Sequence, residues 1–146
     1  MNKIIIRKLT QKDIQYLDGL YSHFWNEHSN IQLMNKKFAE LSNNENYIFL
    51  VAEVNNVIAG TILGIICHEL YGNCRPFLLM EDLVVDEKFR KMGIGKSLIN
   101  ELETIAKKND CYQILFMTEA NRKETIKFYE NIGFDSKKNI GFKRNL

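Results

Sequence analysis

Between Tyr47 and Cys67 the chain reads YIFLVAEVNNVIAGTILGIIC, and this stretch constrains the fold more than any other. Two β-rich runs flank Asn55–Asn56, and asparagine tolerates the positive φ that a two-residue hairpin turn requires. An antiparallel pair is expected here. A third run, FLLMEDLVV, follows the loop HELYGNCRP, which closes on the chain's only proline, Pro76. The sheet is thus antiparallel first, and the other elements have to cover it.

Those elements follow from periodicity. Ile4–Arg7 reads as a short strand. In TQKDIQYLDGLYSHFW, Thr10 and Asp13 have capping-box spacing, and Ile14, Leu17, Leu20, Tyr21 and Phe24 recur at helical intervals. A second short helix is expected near Met34–Leu41. Gly95–Lys108 is helical, with Leu98, Ile99, Leu102, Ile105 and Ala106 on one face. CYQILFMT reads as a strand, KETIKFYENI as a helix stopped by Gly133, and IGFKRNL as a last strand. The order is βααβββαβαβ, an α+β class with a mixed, mostly antiparallel sheet flanked by helices.

Length and charge set bounds on function. The 146 residues suit one domain spanning 1–146, and a net charge of +2 gives no reason to expect nucleic acid or an anionic membrane as partner. No stretch has the length of a membrane span or of a signal-peptide core. Cys67, Cys74 and Cys111 form no C-x-x-C pair, and His23, His28 and His68 have no metal-ligand spacing. A cytoplasmic chain without a metal is expected.

The segment FRKMGIGKSL offers two phosphate motifs that fail. A P-loop needs glycine five positions before Gly95, where Arg90 stands. A dinucleotide fingerprint needs a third glycine where Leu98 stands. What survives is Arg90-x-x-Gly93-x-Gly95 between a strand ending in Val84–Val85 and an amphipathic helix. Glycines allow close approach of a bulky group, and a helix start favours a pyrophosphate, with Arg90, Lys91 and Lys96 adding charge. A plain strand-to-helix turn with solvated basic residues is the competing reading.

LLMEDLVVDEKFRKMGIGKSLINEL resembles the acetyl-CoA-binding core of the GCN5-related N-acetyltransferases. NRKETIKFYENIGF is similar to that family's later motif through Asn121, Phe128, Tyr129, Gly133 and Phe134, and IIIRKLTQKDIQYL to its first strand and helix. The likeness covers almost the whole chain. In texture it lies near bacterial members acting on small amines, including aminoalkylphosphonate acetyltransferases.

The resemblance implies the acyl-CoA N-acyltransferase fold and transfer of an acetyl group from acetyl-CoA to a primary amine of a small molecule by direct attack. Coenzyme A contacts are implied for Leu83, Val84 and Val85 through their backbone, then Arg90, Lys91, Met92, Gly93, Ile94, Gly95, Lys96 and Ser97, with Asn121 and Tyr129 further on. Tyr129 is the implied acid for the departing thiolate. A phenol near ~10 giving its proton to a thiolate near ~8.5 is uphill by roughly 2 kcal/mol. Glu81, interrupting an apolar strand, is the candidate base, with His68 or solvent as alternatives. Strict alternation puts Asp82 on the opposite face from Glu81. Tyr21, Phe24, Trp25 and Glu81 are candidate acceptor contacts, although aromatics at helical spacing also suit a core. The resemblance admits a homodimer, a non-catalytic acyl-CoA-binding or sensing domain, and acetylation of a protein or peptide amine.

Overall fold

The computed structural model describes residues 3–146, which divide into a unit ending at Leu115 and a unit from Phe116 to Leu146. In the first unit the strands β1 (Ile4–Lys8), β2 (Tyr47–Val54), β3 (Val57–Cys67), β4 (Phe77–Val85) and β5 (Ile114–Leu115) form one sheet in that order. The first four are antiparallel and β5 joins β4 in parallel. Three helices, α1 (Ile14–Trp25), α2 (Ile31–Leu41) and α3 (Ile94–Lys108), cover it.

The local signals in the sequence account for these boundaries. Asn55 and Asn56 both take positive φ, at 50° and 63°, the backbone of a two-residue hairpin turn whose twist matches its strands. Thr10 and Asp13 form the capping box ahead of α1. The Asp13 carboxylate is buried, accepts from the Thr10 N–H at 2.8 Å and takes a two-pronged ion pair from Arg7 at 2.7 and 3.0 Å. Arg7 also bonds Glu53 at 2.9 Å, which ties β1, β2 and the start of α1 together. Asn26 ends α1 in the left-handed region at φ 56°. Asn30 starts α2 earlier than periodicity suggests, accepting from the Leu33 N–H at 3.0 Å.

The two sheet faces are covered differently. Gly60 and Gly64 lie against α3: a Cβ at Gly60 would stand 3.2 Å from Ile94, and one at Gly64 would overlap Leu102. The other face carries α1 and α2, where Leu9, Ile14, Leu17, Leu20, Phe38, Val51 and Val84 form a buried cluster.

The second unit holds one helix, α4 (Lys123–Asn131), followed by Gly133 at φ 104°. Two expected strands differ from the reading. The run Cys111–Thr118 is a strand only at Ile114–Leu115, because its ladder with β4 ends at the Leu79–Leu115 pair. IGFKRNL forms no strand: Ile140 and Phe142 are 82% and 90% exposed, and no backbone ladder partner meets them among the described residues. Alternating apolar residues make a strand only where a neighbouring edge satisfies their backbone groups.

Candidate functional site

On β4 the alternation of faces breaks. Glu81 stands opposite Leu63 and Val84 opposite Thr61, so Ile62 alone faces Asp82 and Leu83. The extra residue is a β-bulge, and Asp82 carries it at φ 53°. That conformation is strained for a residue with a Cβ, and such strain gathers at functional sites. Because residues directly opposed across a ladder share a face, Glu81 lies with Leu63 on the side of α1 and α2. Asp82 also reaches that side, where it lines a cavity with Leu63. The expectation that alternation separates the two carboxylates is corrected by this bulge.

The cavity has a volume of about 650 Å³ and lies between α1, α2 and the sheet. Leu17, Tyr21, Met34, Phe49, Leu63 and Asp82 are among its walls. Glu81, Phe24 and Trp25 are not in the wall. Trp25 is exposed and meets Tyr21 and Phe24 edge-on, with ring centroids 5.2 and 4.8 Å apart. Burial raises the Asp82 carboxyl above its ordinary value. Burial first, then the Asp82 charge, raises Glu81. Tyr21 is raised by burial and by Asp82, against a hydrogen bond with Thr61.

Beyond Leu79 the outer edge of β4 has no strand partner among the described residues, since its ladder with β5 consists of the Leu78–Ile114 and Leu79–Leu115 pairs. That edge leads into the glycine segment. Glu87–Phe89 makes a 3₁₀ turn, and Arg90 follows it in extended backbone, paired to Glu87 at 3.3 Å. Lys91 and Gly93 take positive φ, at 64° and 82°, and α3 starts with no side-chain cap. The first bond of α3 runs from the Ser97 N–H to the Gly93 carbonyl at 2.9 Å. The N–H groups of Ile94, Gly95 and Lys96 precede it and are free of intrahelical acceptors. The Ile94 side chain is buried, the Ser97 hydroxyl bonds Gly93 at 3.0 Å, and Lys91, Met92 and Lys96 are exposed.

In the second unit Asn121 is exposed in the turn before α4, where its carbonyl accepts from the Lys123 N–H at 3.0 Å. Tyr129, on α4, packs against Phe116, Phe128 and Phe134, with centroids 4.4, 5.2 and 5.9 Å away. Burial raises its phenol above the ordinary value.

A sequence model of the acetyltransferase (GNAT) family matches residues 14–134, most of the chain. The chain belongs to the GNAT family. This is a family of acetyl-CoA-dependent N-acetyltransferases. The chain is 28% identical over 135 residues to glucosamine 6-phosphate N-acetyltransferase 1 of Dictyostelium discoideum, covering 86% of this chain and 82% of that one. It is 38% identical over 52 residues to human N-alpha-acetyltransferase 30, a match of 36% of this chain and 14% of the human protein. Among solved structures, glucosamine-6-phosphate N-acetyltransferase from Arabidopsis thaliana superposes with a TM-score of 0.86 at 26% identity, covering 98% of each chain.

The first unit of this GNAT chain fits the family's coenzyme on its own features. The free β4 edge offers backbone groups to an extended amide-bearing arm, and the uncapped start of α3 offers three N–H groups and a positive dipole end to a pyrophosphate. A Cβ at Gly93 would meet nothing within 4 Å, so the space above that turn is open to a bulky group. Sequence reasoning missed Asp82 as a cavity residue. The doublet Glu81–Asp82 in an otherwise apolar strand was the available signal, since two adjacent carboxylates fit an apolar run best where a bulge turns both to one side.

Proposed function

We propose that the chain transfers the acetyl group of acetyl-CoA to the primary amine of a small molecule by direct attack, with residues 1–146 acting as one domain. The observation that carries this reading is the cavity of about 650 Å³ with Asp82 in its wall at the β4 bulge. Sites that enclose small molecules have volumes of roughly 300–1,000 Å³, mostly apolar walls and a few placed polar groups.

Each step has a residue assigned to it. Bound at the β4 edge and the α3 start, acetyl-CoA supplies an activated acetyl group as a thioester. Asp82 meets the acceptor ammonium, and Glu81 is the candidate base that takes its proton, directly or through one water. Raised carboxyls are better proton acceptors than ordinary ones, and burial raises both. A backbone N–H at Leu83 or Val84 meets the negative charge that develops on the carbonyl oxygen. Tyr129 gives its hydroxyl proton to the departing sulfur. Burial keeps that phenol protonated and also makes its proton harder to release than an ordinary phenol's. In balance, the C–N bond forms as the C–S bond breaks. One proton of the acceptor ends on the thiol and another passes to solvent.

Tyr129, Asn121 and the complete Arg90-to-Gly95 loop support catalysis over a binding-only role. The three cysteines are unpaired, in keeping with a reducing compartment such as the cytoplasm. The test is thiol release from acetyl-CoA across polyamines, aminoglycosides, aminoalkylphosphonates, glucosamine 6-phosphate, alkylamines, amino acids and a lysine peptide. At least one small amine is expected to accelerate release. Acetyl-CoA binding with no turnover on any amine points instead to a sensing domain. Turnover on the peptide alone points to protein acetylation.

A further inference from the structure

We infer that the acceptor is a primary amine carried on an apolar body, alkyl or arylalkyl, whose ammonium meets Asp82 and whose body lies in the cavity between α1, α2 and the sheet. This rests on the transferase reading above and names the substrate class of that same site.

The wall chemistry carries the inference. Leu17, Leu33, Met34, Phe38, Phe49 and Leu63 bound the cavity from three sides. Leu33 is 62% exposed, a large apolar side chain that water covers in the absence of an apolar ligand. The polar groups are in the minority and differently placed: the Asn30 amide oxygen is taken up by the Leu33 N–H at the start of α2, and Tyr47 stands at the start of β2. Asp82 stands on the sheet side, and the Tyr21 hydroxyl beside it is engaged by Thr61. Lys36, Lys37 and Glu40 are exposed on α2, and Lys37 is tied to Glu40 in an ion pair. No arginine lines the cavity.

These features separate amines by their bodies. Every primary amine brings the same ammonium to Asp82, so charge complementarity does not discriminate among them. A polyhydroxyl or phosphorylated body would exchange water for walls that are mostly apolar and offer it few hydrogen bonds, an unfavourable transfer. An alkyl or aryl body would cover Leu33 and fill apolar space. Each methylene entering such a pocket raises kcat/KM by roughly four- to tenfold or more.

The test is a homologous series: ethylamine, butylamine, hexylamine and phenethylamine against ethanolamine, spermidine and glucosamine 6-phosphate. Thiol release and calorimetric binding are read in parallel. From ethylamine to hexylamine, four methylenes apart, kcat/KM is expected to rise roughly 250-fold or more, with phenethylamine at least about tenfold above glucosamine 6-phosphate. Leu33→Asp, at an exposed position, is expected to flatten the series with an unchanged melting temperature, whereas Asp82→Asn lowers every member by a similar factor. A flat series, or preference for glucosamine 6-phosphate, with turnover intact overturns the substrate class and leaves the transferase reading standing. Affinity that rises along the series without turnover supports the class and strikes the transferase reading. Neither binding nor turnover overturns both.

Discussion

On the face of the sheet that carries α3, glycines at 60 and 64 are needed to let the helix in, and Leu98 and Leu102 are fully buried above them. On the face that carries α1 and α2, the same strands leave a cavity of about 650 Å³. Both faces are apolar, so hydrophobicity does not distinguish them. The difference comes from backbone: small residues on β3 draw α3 close, and the bulge at Asp82 turns a second carboxylate toward the helices on the other side. Close packing holds one face, and incomplete filling leaves the other able to take a ligand.

Substitutions that hit one face at a time test this division. Leu102→Ala, in the packed face, is expected to reduce the unfolding free energy by about 2–5 kcal/mol in denaturant titration. Leu33→Asp on the cavity side is expected to stay within about 0.5 kcal/mol of the parent. Equal losses would erase the contrast.

The next effect in size is electrostatic, at the edge of the cavity face. Arg7, with the Thr10 groups, holds the Asp13 carboxyl at about 2, against 3.8 ordinarily. A depressed carboxyl contributes stability above its unfolded value and loses it as pH falls through the folded one. Asp13→Asn is therefore expected to cost about 2 kcal/mol near neutral pH, with variant and parent converging between roughly pH 4 and pH 2. A difference that persists unchanged at low pH would show that packing, not charge, holds this corner.

The smallest effect has the opposite sign. Asp82 is raised by burial, so its charged form opposes folding at neutral pH, and that opposition fades as pH falls below its folded value. Asp82→Asn keeps a residue that tolerates the left-handed backbone and removes the buried charge. Its melting temperature is expected to rise slightly at neutral pH and to meet the parent's in acid, while acetyl transfer declines. A loss of stability would mean that the carboxylate is held by the fold rather than kept for a ligand.

What the chain reveals by reading follows the same division. The Asn55–Asn56 turn, the Thr10–Asp13 box and the Gly133 stop are local, decided by a few neighbouring residues, and all three stand where reading places them. The glycine segment was legible in part: residue type marked a strand-to-helix turn ahead of a free helix start, whereas the positive φ at Lys91 and Gly93 came only with the structure. The cavity was not, because it is defined by space that side chains leave unfilled. The shared face of Glu81 and Asp82 was hidden for a related reason: a bulge changes register without changing composition. IGFKRNL misled for want of a partner edge, which no short stretch of sequence specifies.

The most direct measurement of acetyl transfer at this site is thiol release with the best amine, run side by side on the parent and Tyr129→Phe, with the acetylated product identified by mass spectrometry. Rapid release by the parent is expected, with kcat reduced on the order of 10²–10⁴-fold in the variant and KM for acetyl-CoA little changed. Equal rates in the two proteins would contradict Tyr129 as the acid, and no release by either would contradict the transferase reading itself.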